Sequence, residues 1–252
     1  MNLCMRNNRL LEGQVVLVTG AGRRMGRVIA LTLARAGASV IVNYSQSRAG
    51  ALDTVGEIRA LGVDSLAVRA DVSKPAQVRA MFRTVERKFA RLDILVNNAG
   101  IFYQRKWDRL SENDWDRILG TNLKGPFFCA QAAARMMMRR KRGTIINISS
   151  LGGLEAWPSY THYCASKAGL IMMTRCLAKA LAPHIRVNSV APGSILFPGE
   201  ERSPWTENVL KTTPLQKAGG PEDIAEMVLY LVTRGDFITG QVIAVDGGKS
   251  IP

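Results

Sequence analysis

The order of predicted strands and helices is the sequence feature that most limits what this chain can form. Seven short apolar runs predict strands, at Val15–Thr19, Ser39–Asn43, Ser65–Ala70, Ile94–Asn97, Thr144–Ser149, Ile185–Val190 and Val242–Val245. Amphipathic segments between them predict helices over residues 25–36, 48–61, 75–90, 112–140, 162–182 and 221–233. Most of the runs are apolar without alternation, as are strands buried on both faces of a parallel sheet. We therefore expect an α/β fold, a doubly wound parallel seven-stranded sheet with helices on both faces.

The organisation of the chain predicts one domain. The 252 residues contain no internal repeat, low-complexity tract or Pro/Ser-rich linker, and a single α/β domain often reaches ~250 residues. Residues 1–10 are expected to form a flexible N-terminal tail, and residues 11–252 the domain. A long stretch rich in Pro and Gly, about 191–220, predicts a substrate loop, because connections of that length in compact domains are usually functional.

The balance of charges favours an anionic partner. The chain has 34 Lys+Arg against 20 Asp+Glu, a formal charge of +14, which suits a nucleotide, a nucleic acid or an acidic carrier protein. The basic run Arg135–Arg142 is predicted to end a helix, where the helix dipole favours cations. Single-strand nucleic-acid binding would require aromatic residues among these charges, and the run contains none. We therefore expect no nucleic-acid partner.

Cysteine and histidine usage argues against a metal site. The four cysteines show no C-x-x-C spacing, and there are only two histidines. The first ten residues lack the apolar run of a signal peptide, and no stretch approaches ~18 apolar residues. These features predict reduced thiols, no metal, no membrane span and a cytoplasmic location.

A glycine-rich turn after the first strand predicts a dinucleotide site. Thr19–Gly26 reads T-G-A-G-R-R-M-G and opens the first helix, so a pyrophosphate can approach amides at a helix N-terminus. Met25 replaces the third glycine of the G-x-G-x-x-G fingerprint. This turn, combined with the strand order, points to a Rossmann fold.

The end of the second strand predicts NADP(H) rather than NAD(H). NAD-preferring sites place an acid there to hold the ribose hydroxyls, but residues 43–48 contain none. Arg23 and Arg24 in the turn, with the hydroxyls of Ser45 and Ser47, would instead hold a 2′-phosphate.

A tyrosine and a lysine four residues apart predict proton transfer. Tyr163 and Lys167 fall on one face of a predicted helix. A free phenol has a pKa of ~10, and we expect the lysine cation to lower it so that the tyrosine serves as a general acid. Ser150 follows a strand, where its hydroxyl would stabilise a developing alkoxide.

These motifs, with Asn97-Asn98-Ala99-Gly100 and Pro192-Gly193, resemble in order and separation those of the short-chain dehydrogenase/reductase family, over residues 11–249. The resemblance implies Tyr163 as acid/base, Lys167 as its cationic partner, Ser150 as oxyanion stabiliser and Asn122 as holder of a relay water. It also implies a homotetramer. The cofactor-binding positions that it implies are Gly20, Gly22, Arg23, Arg24, Met25, Gly26, Asn43, Tyr44, Ser45, Ser47, Asp71, Val72, Asn98, Ala99, Gly100, Tyr163, Lys167, Pro192, Gly193 and Ile195.

The motifs resemble those of two subfamilies, which imply different substrates. Arg24 gives the turn a T-G-x-x-x-R-x-G form similar to that of pteridine reductases, although those usually carry an aspartate where Ser150 stands. Pro221-Glu222-Asp223-Ile224-Ala225 and Ile238–Gly248 resemble 3-oxoacyl-acyl-carrier-protein reductases. In that case Arg139–Arg142 is a candidate grip for the acidic carrier.

The expected activity is reduction of a carbonyl to an alcohol, with a 3-oxoacyl thioester as substrate. Reduction of a pteridine, a dihydrofolate-type compound or a quinone is the alternative, and a non-catalytic nucleotide-binding regulator is a remote one. We expect the substrate pocket to be lined by Leu151, Leu154, Trp157, Phe197 and Trp205.

Overall fold

The computed structural model describes residues 9–197, 199–200 and 203–251, and leaves aside the side chains of residues 204 and 205. The predicted tail 1–10 is therefore described only from residue 9. Leu11 is fully buried, and its amide donates to the carbonyl of Ala36. The folded domain thus begins by Leu11.

One parallel sheet contains all seven predicted strands. Its spatial order is β3-β2-β1-β4-β5-β6-β7, with bounds β1 Val15–Val18, β2 Ser39–Tyr44, β3 Ser65–Arg69, β4 Ile94–Asn97, β5 Gly143–Ile148, β6 Ile185–Pro192 and β7 Val242–Val245. The chain runs outward from β1 to β3 and then returns to pair β4 with the other side of β1. This reversal leaves a crevice at the carboxyl ends of β1 and β4, the usual ligand position in such sheets.

The predicted helices begin and end within one or two residues of the observed ones, except that one predicted helix is divided in two. The helices are α1 Arg24–Arg35, α2 Arg48–Ala60, α3 Pro75–Phe89, α4 Glu112–Leu119, α5 Gly125–Met138, α6 Thr161–Leu181, α7 Pro204–Thr212 and α8 Pro221–Thr233. The predicted helix 112–140 is divided by a π-turn, Gly120–Lys124. Helix α7 falls in the stretch predicted to be irregular, where Ser203 forms a capping box with Thr206.

Two apolar clusters cover the two faces of the sheet. On one face, α1, α2 and α8 bury residues such as Ile29, Ile58 and Val228. On the other, α3 and α5 bury residues such as Val85 and Met137. Helices on both faces confirm the doubly wound prediction. Among the described residues, no helix is both long and apolar enough to span a membrane.

His162 is a buried polar residue without hydrogen-bond partners. Its side chain is fully buried near the start of α6, and neither ring nitrogen has a partner. The ring packs edge-on against Tyr103, with centroids 4.9 Å apart. Burial lowers the pKa of His162, the nearby Asp114 raises it, and Arg105 lowers it. Protonation of His162 therefore opposes folding.

We expect His162 to make the protein less stable at acidic pH. Because its pKa is lower in the folded than in the unfolded chain, only the unfolded chain gains the proton just below the unfolded value of ~6.5. The free energy of unfolding should fall by up to about 1.4 kcal/mol from this group between pH 7.5 and 5.5, as measured by urea denaturation. His162→Phe, which keeps a buried ring, should show a smaller loss; an identical loss would assign the effect to other groups.

Candidate active site

A cavity of about 2000 Å³ opens at the carboxyl ends of the strands. Among the predicted site residues, it is lined by Gly20, Arg23, Arg24, Met25, Gly26, Asn43, Tyr44, Ser45, Ser47, Asp71, Val72, Asn98, Ala99, Gly100, Ser150, Leu151, Trp157, Tyr163, Lys167, Pro192, Gly193, Ile195 and Phe197. Gly22, Asn122 and Leu154 are not among the lining residues. The side chain of Trp205 lies outside the described part of the chain, although its backbone belongs to α7.

Close backbone packing and hydrogen bonds fix the conformation of the glycine-rich turn. Gly20 has a φ of 65°, which favours glycine. A Cβ on Gly26 would lie 2.3 Å from the Gly20 carbonyl oxygen and 2.4 Å from Asn98 Nδ2. Asn98 Nδ2 donates to the Thr19 carbonyl at 2.8 Å, and Thr19 Oγ1 accepts from the amides of Asn98 and Ala99. The turn can therefore present the N-terminus of α1 to an anion.

Gly22 packs against the start of α2 and is not among the residues that line the cavity. A Cβ there would lie 2.9 Å from the Ser47 carbonyl oxygen and 3.2 Å from the Ala51 amide nitrogen. That Gly22 binds the cofactor stays a prediction; the structure shows that this position faces the start of α2.

Replacement of Gly26 by alanine should disrupt the turn. The added Cβ would overlap the Gly20 carbonyl and the Asn98 side chain, so we expect dinucleotide affinity, measured by fluorescence titration, to fall more than tenfold. Gly56→Ala is the matched control, since a Cβ on this exposed glycine of α2 meets nothing within 4 Å. That control should stabilise the protein by about 0.5–1 kcal/mol and leave affinity unchanged. Equal affinity in the Gly26 variant would contradict the assignment of this turn.

The ends of β2 and β3 form one side of the cavity. Asn43 is buried, accepts from the Gly20 amide at 3.2 Å and donates to the carbonyls of Val68 and Ala70. The Asn43 side chain thus joins the glycine turn to the end of β3, because its amide oxygen and nitrogen both form hydrogen bonds within the protein. Ser45 is exposed beside it. Asp71 accepts from the amide and hydroxyl of Ser73, which fixes its carboxylate at the cavity.

Arg24 extends from the glycine turn to the loop after β6. Its φ of 51° lies in the left-handed region that favours glycine. Its guanidinium lies 2.9 Å from Glu200 Oε1 and stacks over the Phe197 ring, 4.0 Å from the centroid. Both arginines are exposed, and Arg24 contacts the substrate loop.

Tyr163, Lys167 and Ser150 meet on the wall of the cavity. Lys167 is buried, and its ammonium donates to the Ile148 carbonyl at 2.8 Å. Lys167 Nζ lies 5.8 Å from the centroid of the Tyr163 ring. Ser150 Oγ accepts from the Gly152 amide at 3.1 Å, which fixes the hydroxyl at the end of β5. The predicted catalytic residues other than Asn122 thus share one part of the cavity.

The pKa of Tyr163 shifts in the direction opposite to the prediction. Burial raises the pKa of Tyr163 to about 12, while the Ser150 side chain opposes the shift. Burial lowers the pKa of Lys167 to about 8. The expected lowering by Lys167 is not found: burial is the largest cause of the shift, and Lys167 is not among the groups that oppose it. The phenol is therefore protonated at neutral pH, as an ordinary phenol also is, and burial makes it a weaker acid rather than a stronger one.

Asn122 lies in the π-turn beneath the cavity. It is fully buried, its Oδ1 accepts from the Ile101 amide at 2.9 Å, and its Nδ2 donates to the Ile101 carbonyl at 2.9 Å. Nδ2 also approaches Ser166 Oγ at 3.2 Å, and Ser166 Oγ donates to the Tyr163 carbonyl at 2.7 Å. Asn122 therefore connects the loop after β4 with the backbone of Tyr163.

The end of β6 closes the cavity opposite the glycine turn. A Cβ on Gly193 would lie 2.7 Å from the Cα of Asp246, so glycine allows the end of β6 to approach β7 closely. Ile195 forms an isolated bridge with Gly219, which anchors the start of the substrate loop.

Two aromatic residues near Tyr163 line the cavity although the sequence analysis did not name them. Phe102 and Tyr160 line it, together with the predicted Leu151, Trp157 and Phe197. Leu154 is half exposed after the 3-10 turn Leu151–Gly153 and does not line the cavity, because that turn directs it to solvent. The position of Phe102, two residues after Asn97–Gly100, was the signal available in the sequence.

The basic run lies far from this cavity within one chain. Arg139–Arg142 ends just before β5, whereas Ser149 and Ser150 follow it. The six residues of β5 span about 20 Å, and Arg139 pairs with Glu86. The predicted carrier grip therefore lies at the opposite edge of the sheet from the same chain's site.

A glycine-rich turn at a helix N-terminus that shares its cavity with a tyrosine, a lysine and a serine is typical of one class of protein, the dinucleotide-dependent oxidoreductases. A model of the family described as Enoyl-(Acyl carrier protein) reductase matches residues 20–250. This chain belongs to the short-chain dehydrogenase/reductase family.

Known relatives are similar over nearly their whole length. The 3-oxoacyl-[acyl-carrier-protein] reductase FabG of Staphylococcus aureus is 44% identical over 236 residues, 92% of this chain and 96% of the relative. The crystal structure of a putative short-chain alcohol dehydrogenase from Sinorhizobium meliloti 1021 has a TM-score of 0.89 and 38% identity, covering 96% of this chain and 98% of that one. A gluconate 5-dehydrogenase from Burkholderia cenocepacia J2315, solved with NADP and tartrate, has a TM-score of 0.90 and 33% identity, with 98% of both chains covered.

Proposed function

We propose that the protein reduces the 3-oxo group of an acyl thioester to an alcohol with NADPH. The observation that carries this proposal is the convergence of Tyr163, Lys167 and Ser150 on the cavity that also contains the glycine turn. The similarity to the 3-oxoacyl-[acyl-carrier-protein] reductase of S. aureus supports the choice of substrate.

The residues present fit NADP(H). The Gly20–Gly26 turn leaves no room for a Cβ at Gly26. The exposed Arg23 and Ser45 line the same cavity and would hold the 2′-phosphate, and residues 43–48 contain no acid. When bound there, NADPH supplies the hydride. The gluconate 5-dehydrogenase that resembles this chain was solved with NADP.

The chain itself supplies the proton and the place for the oxygen. Tyr163 holds a proton on its hydroxyl at neutral pH and donates it to the carbonyl oxygen as the alcohol forms. The Ser150 hydroxyl lies beside it to donate to the developing alkoxide. The Lys167 ammonium lies 5.8 Å from the centroid of the Tyr163 ring, and in this proposal it offsets the charge of the phenolate that forms as the proton leaves. Asn122 and Ser166 hold the backbone of Tyr163 and contribute to its position.

The physiological thioester in this proposal is carried by an acyl carrier protein, as the relative's name indicates. The assembly is proposed to be a homotetramer, and the location cytoplasmic. Because Arg139–Arg142 lies at the opposite edge of the sheet from the same chain's cavity, it is not assigned a role in that chain's substrate binding.

The experiment compares NADPH oxidation with acetoacetyl-CoA, dihydrobiopterin and a simple quinone side by side. The proposal expects the thioester to give the largest kcat/KM. A larger value with dihydrobiopterin would favour the pteridine alternative that Arg24 suggests, and a larger value with the quinone would favour a quinone reductase. Dinucleotide binding without oxidation by any of the three would favour a non-catalytic regulator.

A further inference from the structure

Three aromatic side chains form a continuous wall beside Tyr163. This aromatic wall consists of Phe102, Trp157 and Tyr160, and all three line the cavity. Phe102 lies parallel to Tyr160, with ring centroids 4.6 Å apart and planes 4° apart. Trp157 meets Tyr160 edge-on, with centroids 6.1 Å apart. The three rings therefore pack on one another as a unit.

The aromatic wall contacts the tyrosine proposed to donate the proton. Phe102 meets the Tyr163 ring edge-on, with centroids 4.7 Å apart and planes at 72°. Trp157 stacks nearly parallel to the Tyr163 ring, with centroids 6.2 Å apart. A carbonyl whose oxygen reaches the Tyr163 hydroxyl would thus place one of its substituents near Phe102 or Trp157.

Most of the aromatic wall is fixed by contacts from outside the cavity. Trp157 Nε1 donates to Glu155 Oε2 at 3.0 Å, and a Cβ on Gly152 would lie 2.9 Å from the indole ring. The Arg105 amide donates to the Ser159 carbonyl at 3.0 Å, which joins the segment that follows Phe102 to the turn that bears Tyr160. The rings are therefore positioned before a ligand arrives, which lowers the entropic cost of stacking on them.

Phe102 is the most exposed member of the wall. It is 56% exposed although it lines the cavity, while Tyr160 stacks on one of its ring faces and Tyr163 meets the ring at a steep angle. A flat ring placed on its exposed surface gains aromatic contacts beyond the burial of apolar area, whereas an alkyl chain of similar area gains only the burial.

We propose that the aromatic wall gives the site a preference for 3-oxo substrates whose carbonyl carbon bears an aromatic ring, and that Phe102 determines this preference. The inference rests on the proposed carbonyl reduction at Tyr163 and specifies the substrate class within it. In this reaction the aryl carbonyl gains a hydride from NADPH and a proton from Tyr163, giving the aryl carbinol and NADP⁺.

The test uses two thioesters that differ only in the group on the 3-oxo carbon. These are the N-acetylcysteamine thioesters of 3-oxo-3-phenylpropanoate and 3-oxohexanoate, and the quantity compared is the ratio of their kcat/KM values. Comparison of this ratio between variants cancels the intrinsic reactivity of the two ketones. Phe102→Leu, which keeps an apolar side chain but removes the ring, should lower the aryl-to-alkyl ratio about three- to tenfold.

Two control variants separate the loss of the ring from other effects. Phe102→Tyr keeps the ring and should hold the ratio within about twofold of the wild-type value. Phe237→Leu removes a fully exposed phenylalanine outside the cavity lining and should leave the ratio unchanged. An unchanged ratio in an active Phe102→Leu enzyme would overturn the inference while leaving carbonyl reduction intact. Failure of the wild-type enzyme to reduce either thioester would instead overturn the proposed function, and the inference with it.

Discussion

Tyr163→Phe should reduce kcat between about 100-fold and 10,000-fold, the range expected when a positioned general acid is removed. The phenylalanine keeps the ring that packs against Phe102 and Trp157, so the fold and the glycine turn should be unaffected. The measurement is steady-state NADPH oxidation with acetoacetyl-CoA, together with a fluorescence titration of NADPH binding. Loss of turnover with binding preserved is the expected result.

Tyr230→Phe is the matched control for this substitution. Tyr230 is a partly exposed tyrosine on α8 and is not among the residues that line the cavity. Its variant should keep full activity. Turnover at the wild-type rate by the Tyr163 variant would show that the proton comes from another group, and the proposed mechanism would then fail.

NADPH should bind at least tenfold more tightly than NADH. Arg23 in the glycine-rich turn and Ser45 after β2 are both exposed and line the cavity, so we expect them to hold a 2′-phosphate through charge-assisted hydrogen bonds. No carboxylate is present between residues 43 and 48 to repel it. Ser45→Asp should abolish the preference, because the added carboxylate repels the phosphate and can accept from the ribose hydroxyls of NADH. Titration of both dinucleotides with each variant gives the ratio of dissociation constants.

The control for the Ser45 variant adds the same charge elsewhere. Ala80→Asp places a carboxylate on an exposed position of α3 outside the cavity lining, and it should keep the wild-type ratio. Equal dissociation constants for NADPH and NADH in the wild-type protein would refute the assignment of this part of the cavity.

The sequence was sufficient to predict the sheet because its strands have little ambiguity. Runs such as Val15–Val18 and Ile94–Asn97 are buried on both faces and are too short and too apolar to form surface helices. The π-turn at Gly120–Lys124 was not predictable in the same way. Its apolar periodicity continues from α4 into α5, and the extra residue is stabilised by tertiary contacts of Asn122 rather than by local propensity.

Some features of the candidate site could be predicted from the sequence, and others depend on tertiary contacts. Tyr163, Lys167 and Ser150 could be predicted because their types and spacings point to one chemistry. The pKa of Tyr163 could not, because it depends on burial by residues that are distant in sequence, such as Phe102. Helix α7 was missed because Pro and Gly surround it, although the Ser203 cap was present in the sequence. Long-range packing, which leaves no local pattern, thus accounts for most of the differences.

The π-turn at Gly120–Lys124 makes chain length itself a constraint on this part of the protein. The Gly125 amide donates to the Gly120 carbonyl, five residues back. Deletion of one residue here would restore a regular helix but would rotate α5 against α4 by about 100°. Either the buried face of α5 would then turn away from the sheet, or Asn122 would lose its hydrogen bonds to Ile101 and Ser166. Between Ile118 and Cys129, both of which are fully buried, relatives can therefore exchange residues far more readily than they can lose one.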